Sequence, residues 1–102
     1  MAEATYTLYR GVVSATTSTV LFTAPTDVAV RIDNIVVTNA TTASRTYTIS
    51  LANVDIANAV SIPANTTQYI DLSQVIYSGE TIKGGASAAS SVAFHIAGSD
   101  AI

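Results

Sequence analysis

The sequence predicts an all-β fold, an antiparallel β-sandwich read as a jelly roll, on three observations. Thr, Val, Ile and Tyr dominate the chain, and these residues suit a pleated, half-buried surface. Apolar and polar residues alternate at period two in most segments, and no stretch repeats apolar residues at helical spacing between proper caps. Turn residues separate short segments at fairly regular intervals, as in sandwiches and barrels. The 102 residues make one domain, residues 1–102, able to bury one core.

The first strand candidate runs from Thr5 to Val13, with Tyr6, Leu8 and Arg10 on one face and Thr7, Tyr9 and Gly11 on the other. The second, Thr19 to Thr23, ends at Ala24-Pro25-Thr26-Asp27, a turn in which the missing proline N–H does no harm. The third runs from Ala29 to Asn39. Val30 and Ile32 set an even phase, whereas Ile35 and Val37 set an odd one. Alternation cannot change phase without an extra residue, so a β-bulge or bend is placed at Asp33-Asn34. Asn39 to Ser44 reads as a polar loop.

Arg45 to Leu51 is the cleanest strand, with Tyr47, Ile49 and Leu51 inward and Thr46, Thr48 and Ser50 outward. Ala52 to Val60 is less regular: Val54 and Ile56 share a face, but Asn53, Asp55 and Asn58 favour turns. Ile62-Pro63-Ala64-Asn65 reads as a connection, Thr66 to Leu72 as a strand, and Val75 to Tyr77 as a short apolar piece. Ser78-Gly79 makes a turn, Glu80 to Lys83 a short strand, and Gly84-Gly85 a break. Ser87 to Ser91 leaves room for a turn. Ser91 to Ala97 closes the chain with Val92, Phe94 and Ile96 inward and Ala93, His95 and Ala97 outward.

About eight strands is the count of a jelly roll, and about seven would fit an immunoglobulin-like sandwich. With no Cys and no Trp, an antibody-type domain is excluded. The expected core contains Val30, Ile32, Tyr47, Ile49, Leu51, Ile70, Phe94 and Ile96.

Composition narrows the function. A cysteine zinc site is impossible, and the single His95 cannot supply a multi-histidine site. Net charge is −3, and the basic residues Arg10, Arg31, Arg45 and Lys83 are scattered. The clustered basic face that binds nucleic acid or an anionic membrane is missing, so neither is expected as a partner. No apolar run approaches the roughly 20 residues of a membrane helix, and the first residues do not read as a signal peptide. The chain is expected to be soluble and to stay in the cell that makes it. Charged residues are 11% while hydrophobic ones reach 49%. A free monomer so poorly charged is a poor colloid, which implies that other protein covers much of its surface.

Candidate chemistry is sparse. His95 is the one possible imidazole base, but its phase puts it on the outer face, and no nucleophile-elbow motif accompanies it. Asp27, Asp33, Asp55, Asp71 and Glu80 lack calcium-loop spacing and read as turn acids. Gly79, Gly84 and Gly85 are not followed by the Lys-Ser/Thr and helix of a phosphate loop. Asn39-Ala40-Thr41 and Asn65-Thr66-Thr67 fit the glycosylation pattern but carry no weight without a secretory context. Tyr6, Tyr9, Tyr47, Tyr69 and Tyr77 suit core or interface use better than a sugar-stacking face, because Trp is absent. No enzyme activity and no cofactor are expected.

Several segments in order then resemble small all-β virion proteins of tailed bacteriophages. They are Leu21-Phe22-Thr23-Ala24-Pro25, Ile35-Val36-Val37-Thr38-Asn39, Ile62-Pro63-Ala64-Asn65-Thr66-Thr67 and Leu72-Ser73-Gln74-Val75-Ile76. The run Ser78-Gly79-Glu80-Thr81-Ile82-Lys83-Gly84-Gly85-Ala86-Ser87, followed by Val92 to Gly98, looks like the same group. The resemblance spans about Val20 to Gly98. It implies a virion structural protein: a capsid decoration (cement) protein, or a tail, baseplate or fibre component. It also implies the major capsid protein as partner, a homotrimer, and a place on the capsid exterior after synthesis in the host cytoplasm. A carbohydrate-binding adhesin module is the alternative from another class. Assembly contacts are expected at Tyr6, Tyr9 and Arg10, with residues 1–4 as an extended arm. Otherwise Thr5 to Val13 forms an edge strand of its own domain.

Overall fold

The computed structural model describes residues 5–100, with side chains described for 7–99. The expected arm at residues 1–4 lies outside the described residues. Eight strands follow one another: β1 (Thr5–Val12), β2 (Val20–Thr23), β3 (Val30–Asn39), β4 (Arg45–Leu51), β5 (Val54–Ile62), β6 (Thr66–Ile76), β7 (Thr81–Ala86) and β8 (Val92–Asp100). There is no helix among the described residues. They form two four-stranded antiparallel sheets, ordered β1-β8-β3-β6 and β2-β7-β4-β5. The pairing is nested: first strand with last, second with seventh, third with sixth, fourth with fifth.

The sheets enclose one apolar core. Val30, Ile32, Ile35, Val37, Phe94 and Ile96 reach it from the first sheet, and Tyr47, Ile49, Leu51, Ile62 and Ile82 from the second. The Phe94 ring meets the Tyr47 ring edge-on across the core, centroids 6.0 Å apart. Of the expected core, Ile70 alone is only half-buried, because β6 is an edge strand with a neighbour on one side.

The expected irregularity in β3 is present. Against β8, Ile32 faces Gly98 and Asn34 faces Ala97, so Asp33 is the extra residue. The insertion returns Ile35 and Val37 to the buried face that Val30 and Ile32 occupy. β1 carries its own extra residue, Leu8, at the same level, since Thr7 faces Ala97 and Tyr9 faces Ile96. The bulges form one crease across the sheet, and Gly98 sits on it. A Cβ at Gly98 would strike the Arg31 carbonyl oxygen and approach Leu8 Cδ1 to 2.7 Å. The Leu8 bulge also corrects the simple alternation expected in β1: Leu8 is buried and Tyr9 packs against the core, while Arg10 is exposed.

Other boundaries differ from expectation. Gly84-Gly85 lies inside β7 and does not break the chain. Side chains there would collide with backbone: a Cβ at Gly84 would lie 2.9 Å from the Thr48 carbonyl oxygen, and one at Gly85 would lie 2.6 Å from that of Thr16. The Val75 piece continues β6, and Ile62 ends β5 as a buried residue. Asn39 ends β3, as the strand read from Ala29 to Asn39 has it, and it is wholly buried rather than exposed at the start of a polar loop. Its Nδ2 donates to the carbonyls of Ala43 (2.8 Å), Ile62 (3.1 Å) and Pro63 (3.2 Å). Its Oδ1 accepts from the Thr41 N–H (3.0 Å) and hydroxyl (2.6 Å). One side chain therefore ties the β3–β4 and β5–β6 connections together.

Candidate functional site: the two open flanks

Each sheet has two edge strands. β1 lies beside β2 on one flank, and β5 lies beside β6 on the other. The central strands β8, β3, β7 and β4 are paired on both sides. Eight large apolar side chains among the described residues are exposed, and seven of them belong to the edge strands: Val12, Val20, Val54, Ile56, Val60, Tyr69 and Val75. The eighth, Tyr77, directly follows β6. Exposure reaches 59% at Val12, 67% at Val54 and 74% at Tyr69. Edge strands are where soluble proteins usually place charge or proline, since open backbone groups invite pairing with another chain.

Charge on these strands is sparse and segregated. β1 and β2 contain one charged residue, Arg10, whereas β5 and β6 contain two, Asp55 and Asp71. All three are exposed. Arg10 makes a long contact of 3.4 Å from its guanidinium to Thr7 Oγ1.

The two edges of the second flank are built differently. β5 is irregular twice against β4, between the pairs Tyr47–Val60 and Ile49–Ala57 and again before Ser50–Asp55. At the first irregularity Ala59 takes φ = 50°, and its N–H donates to Thr48 Oγ1 (3.1 Å). Such bulges twist an edge away from regular pairing. β6 is the longest strand, with 11 residues, and from Thr66 to Asp71 it matches β3 without interruption. Its outer edge is the straighter template.

The residues expected to make assembly contacts separate here. Arg10 stands on the outer face of β1, opposite His95 of β8. Tyr9 is half-buried against the chain's own core. The side chain of Tyr6 lies outside the described residues. Thr5–Val12 pairs with β8 as an edge strand.

Elsewhere the titratable groups are dispersed. His95 is exposed on the outer face of the first sheet, between Arg10 and Val36. Arg31 Nε donates to Asp33 Oδ1 (2.8 Å), and the guanidinium also donates to Ser99 Oγ (2.9 Å), which in turn donates to Asp33 Oδ2 (3.2 Å). This cluster clasps the β3 bulge to β8. Burial raises the pKa of the Tyr47 phenol above its ordinary value, and its hydroxyl donates to Gln68 Oε1 (2.8 Å). A shallow cleft of about 310 Å³ is lined by Asp27, Val28, Ala29, Tyr77 and Ser78, between the β2–β3 and β6–β7 connections. Among the described residues no three His, Asp or Glu side chains converge as a metal site would require.

Sequence reasoning offered β1 as an edge strand, which it is, but did not find the other three edges. The broken alternation of Ala52 to Val60 is the signature of a strand not buried along one face, and it marks β5. No protein-family model matches this chain, and no curated protein matches it.

Proposed function

We propose that this chain is a structural protein of a tailed-phage virion, a capsid decoration (cement) protein built on a jelly roll. The nested strand pairing supports the fold reading, because it is what results when a ribbon of four antiparallel strand pairs wraps into two sheets. The observation that carries the functional reading is the concentration of exposed large apolar side chains on the edge strands, with Tyr77 just beyond β6. It suits a protein that works by being covered, with its titratable groups dispersed over the surface.

In this reading the protein clamps adjoining major-capsid subunits on the capsid exterior and associates with copies of itself, three being the number the resemblance implies. Each contact removes apolar area from water at about 25 cal/mol per Å². Repetition over the shell adds avidity to contacts that are individually modest. The test incubates the purified chain with undecorated shells assembled from the major capsid protein of the same virion. Saturable co-sedimentation and a higher temperature of shell disruption are expected. A chain left in the supernatant, and recovered from infected cells in tail fractions, would move the assignment to a tail, baseplate or fibre component.

A further inference from the structure

We propose that copies of this chain join head to tail, the β1 edge of one copy pairing with the β6 edge of the next. This deepens the self-association part of the reading above and rests on it, but it is independent of shell binding.

Three observations select this arrangement. The first is strand direction. In the order β1-β8-β3-β6 every neighbour is antiparallel, so the two edges of the sheet run in opposite directions. A second copy added in the same orientation therefore continues the antiparallel pattern without interruption. Two β6 edges related by a twofold axis would also be antiparallel, so direction alone does not decide.

Charge decides. Pairing β6 with β6 brings Asp71 toward Asp71, and the neighbouring β5 strands add Asp55 from each copy. Pairing β1 with β1 brings Arg10 toward Arg10. Only the unlike flanks are complementary, and like charges across an interface penalise the wrong mode.

Register gives the third observation. Setting Arg10 opposite Asp71 in an antiparallel pair sets Val12 opposite Tyr69. All four lie on the outer face of the first sheet: Arg10 is in register with His95, Val36 and Tyr69, and Val12 with Ala93, Thr38 and Thr67. Val12 and Tyr69 are both exposed, and an aliphatic–aromatic pair across strands is a favourable one. One register thus satisfies the ion pair and covers two of the most exposed apolar side chains. In the second sheet the bulged β5 is unsuited to a regular ladder, so Val20 meets Val54, Ile56 and Val60 through side chains. With Arg10 opposite Asp71, the 8 residues of β1, Thr5–Val12, face residues 69–76 of β6, a ladder about 26 Å long. A contact between unlike surfaces closes into a ring when its rotation permits.

The absence of cysteine from the chain makes the test clean. Val12→Cys and Tyr69→Cys are made singly, both at exposed positions, with circular dichroism to verify folding. On oxidation, each variant alone is expected to stay uncrosslinked, while their mixture gives a disulfide-linked pair. Arg10→Asp and Asp71→Arg should each weaken self-association about tenfold in sedimentation, and association should return both when the two variants are mixed, since alternating copies then meet only through opposite charges, and when both swaps are made in one chain. Tyr69→Cys crosslinking to itself, or a wild-type chain that stays monomeric at high micromolar concentration, would overturn the arrangement. Monomers that bind shells would end the head-to-tail contact but leave the shell role standing. Crosslinked rings that ignore shells would do the reverse.

Discussion

Replacing Asn39 by Ala tests how the β3–β4 and β5–β6 end of the molecule is held. Asn39 is wholly buried at the end of β3 and uses both its amide nitrogen and its oxygen. Truncation removes contacts to three carbonyls and two Thr41 donors. The contact to the Ile62 carbonyl is buried, and water does not easily replace it. Leaving a buried polar group unpaired costs about 1–3 kcal/mol, and a replaceable neutral hydrogen bond about 0.5–1.5 kcal/mol. One buried loss of about 2 kcal/mol plus the partly solvated remainder gives about 3 kcal/mol. In a domain near 100 residues that lowers Tm by roughly 12–24 °C. Thr41→Val removes the hydroxyl's contacts to Asn39 Oδ1 (2.6 Å) and to the Ala43 carbonyl (3.1 Å) and should cost about 1 kcal/mol. Thermal and urea unfolding followed by circular dichroism measure both, and the double variant should fall short of the sum because the residues share a contact. An Asn39→Ala loss below 1 kcal/mol would refute the argument, since it would mean that the connections hold without the amide.

Three further outcomes follow from the same structure. Gly98→Ala should destabilise by about 2–3 kcal/mol, because its Cβ would strike the Arg31 carbonyl and Leu8, whereas Gly79→Ala, at φ = 81° with open space around it, should cost only the backbone strain of about 1–2 kcal/mol; equal losses in urea titrations would contradict the crease. Deleting Asp33 should abolish cooperative unfolding, since Ile35 and Val37 would turn to the outer face, while Asp33→Ala should cost about 1 kcal/mol for its contacts with half-buried Arg31. The Tyr47 phenol is raised by burial, so the unfolded chain ionises first on the alkaline side. Its contribution to stability is complete below about pH 10 and is lost as pH rises through the folded value. Tyr47→Phe should therefore be less stable at neutral pH by about 1 kcal/mol but lose stability less steeply above pH 10 in denaturant titrations.

Much of the fold was legible because one face of a strand is buried and the other is not. In Arg45–Leu51 and in residues 92–97 the inward residues are those the alternation indicated, although Ser50, expected outward, is buried as well. The phase change between Ile32 and Ile35 located the β3 bulge for the same reason. The signal fails where both faces see solvent: β5 buries only Ala57 and Ile62, so its irregular pattern could not be placed. Glycine was ambiguous for another reason. Gly79 permits a turn through its positive φ, while Gly84 and Gly85 permit close backbone approach inside a strand, and the letters are the same. Likewise Asn39 reads as the junction of a strand and a polar loop, and its burial is not evident unless the carbonyls it will bind are known. The flanks required the strand order, which comes from pairings between the two ends of the chain.

The most direct measurement of the central claim is to find whether the gene for this chain lies in a tailed-phage genome, as the proposed function requires, and to image those virions by cryo-electron microscopy with and without it. The account predicts density for a two-sheet domain on the capsid exterior over the junctions between major-capsid subunits, absent from the deletion particle, with neighbouring copies touching through unlike flanks. Identical capsid exteriors in the two particles would contradict it.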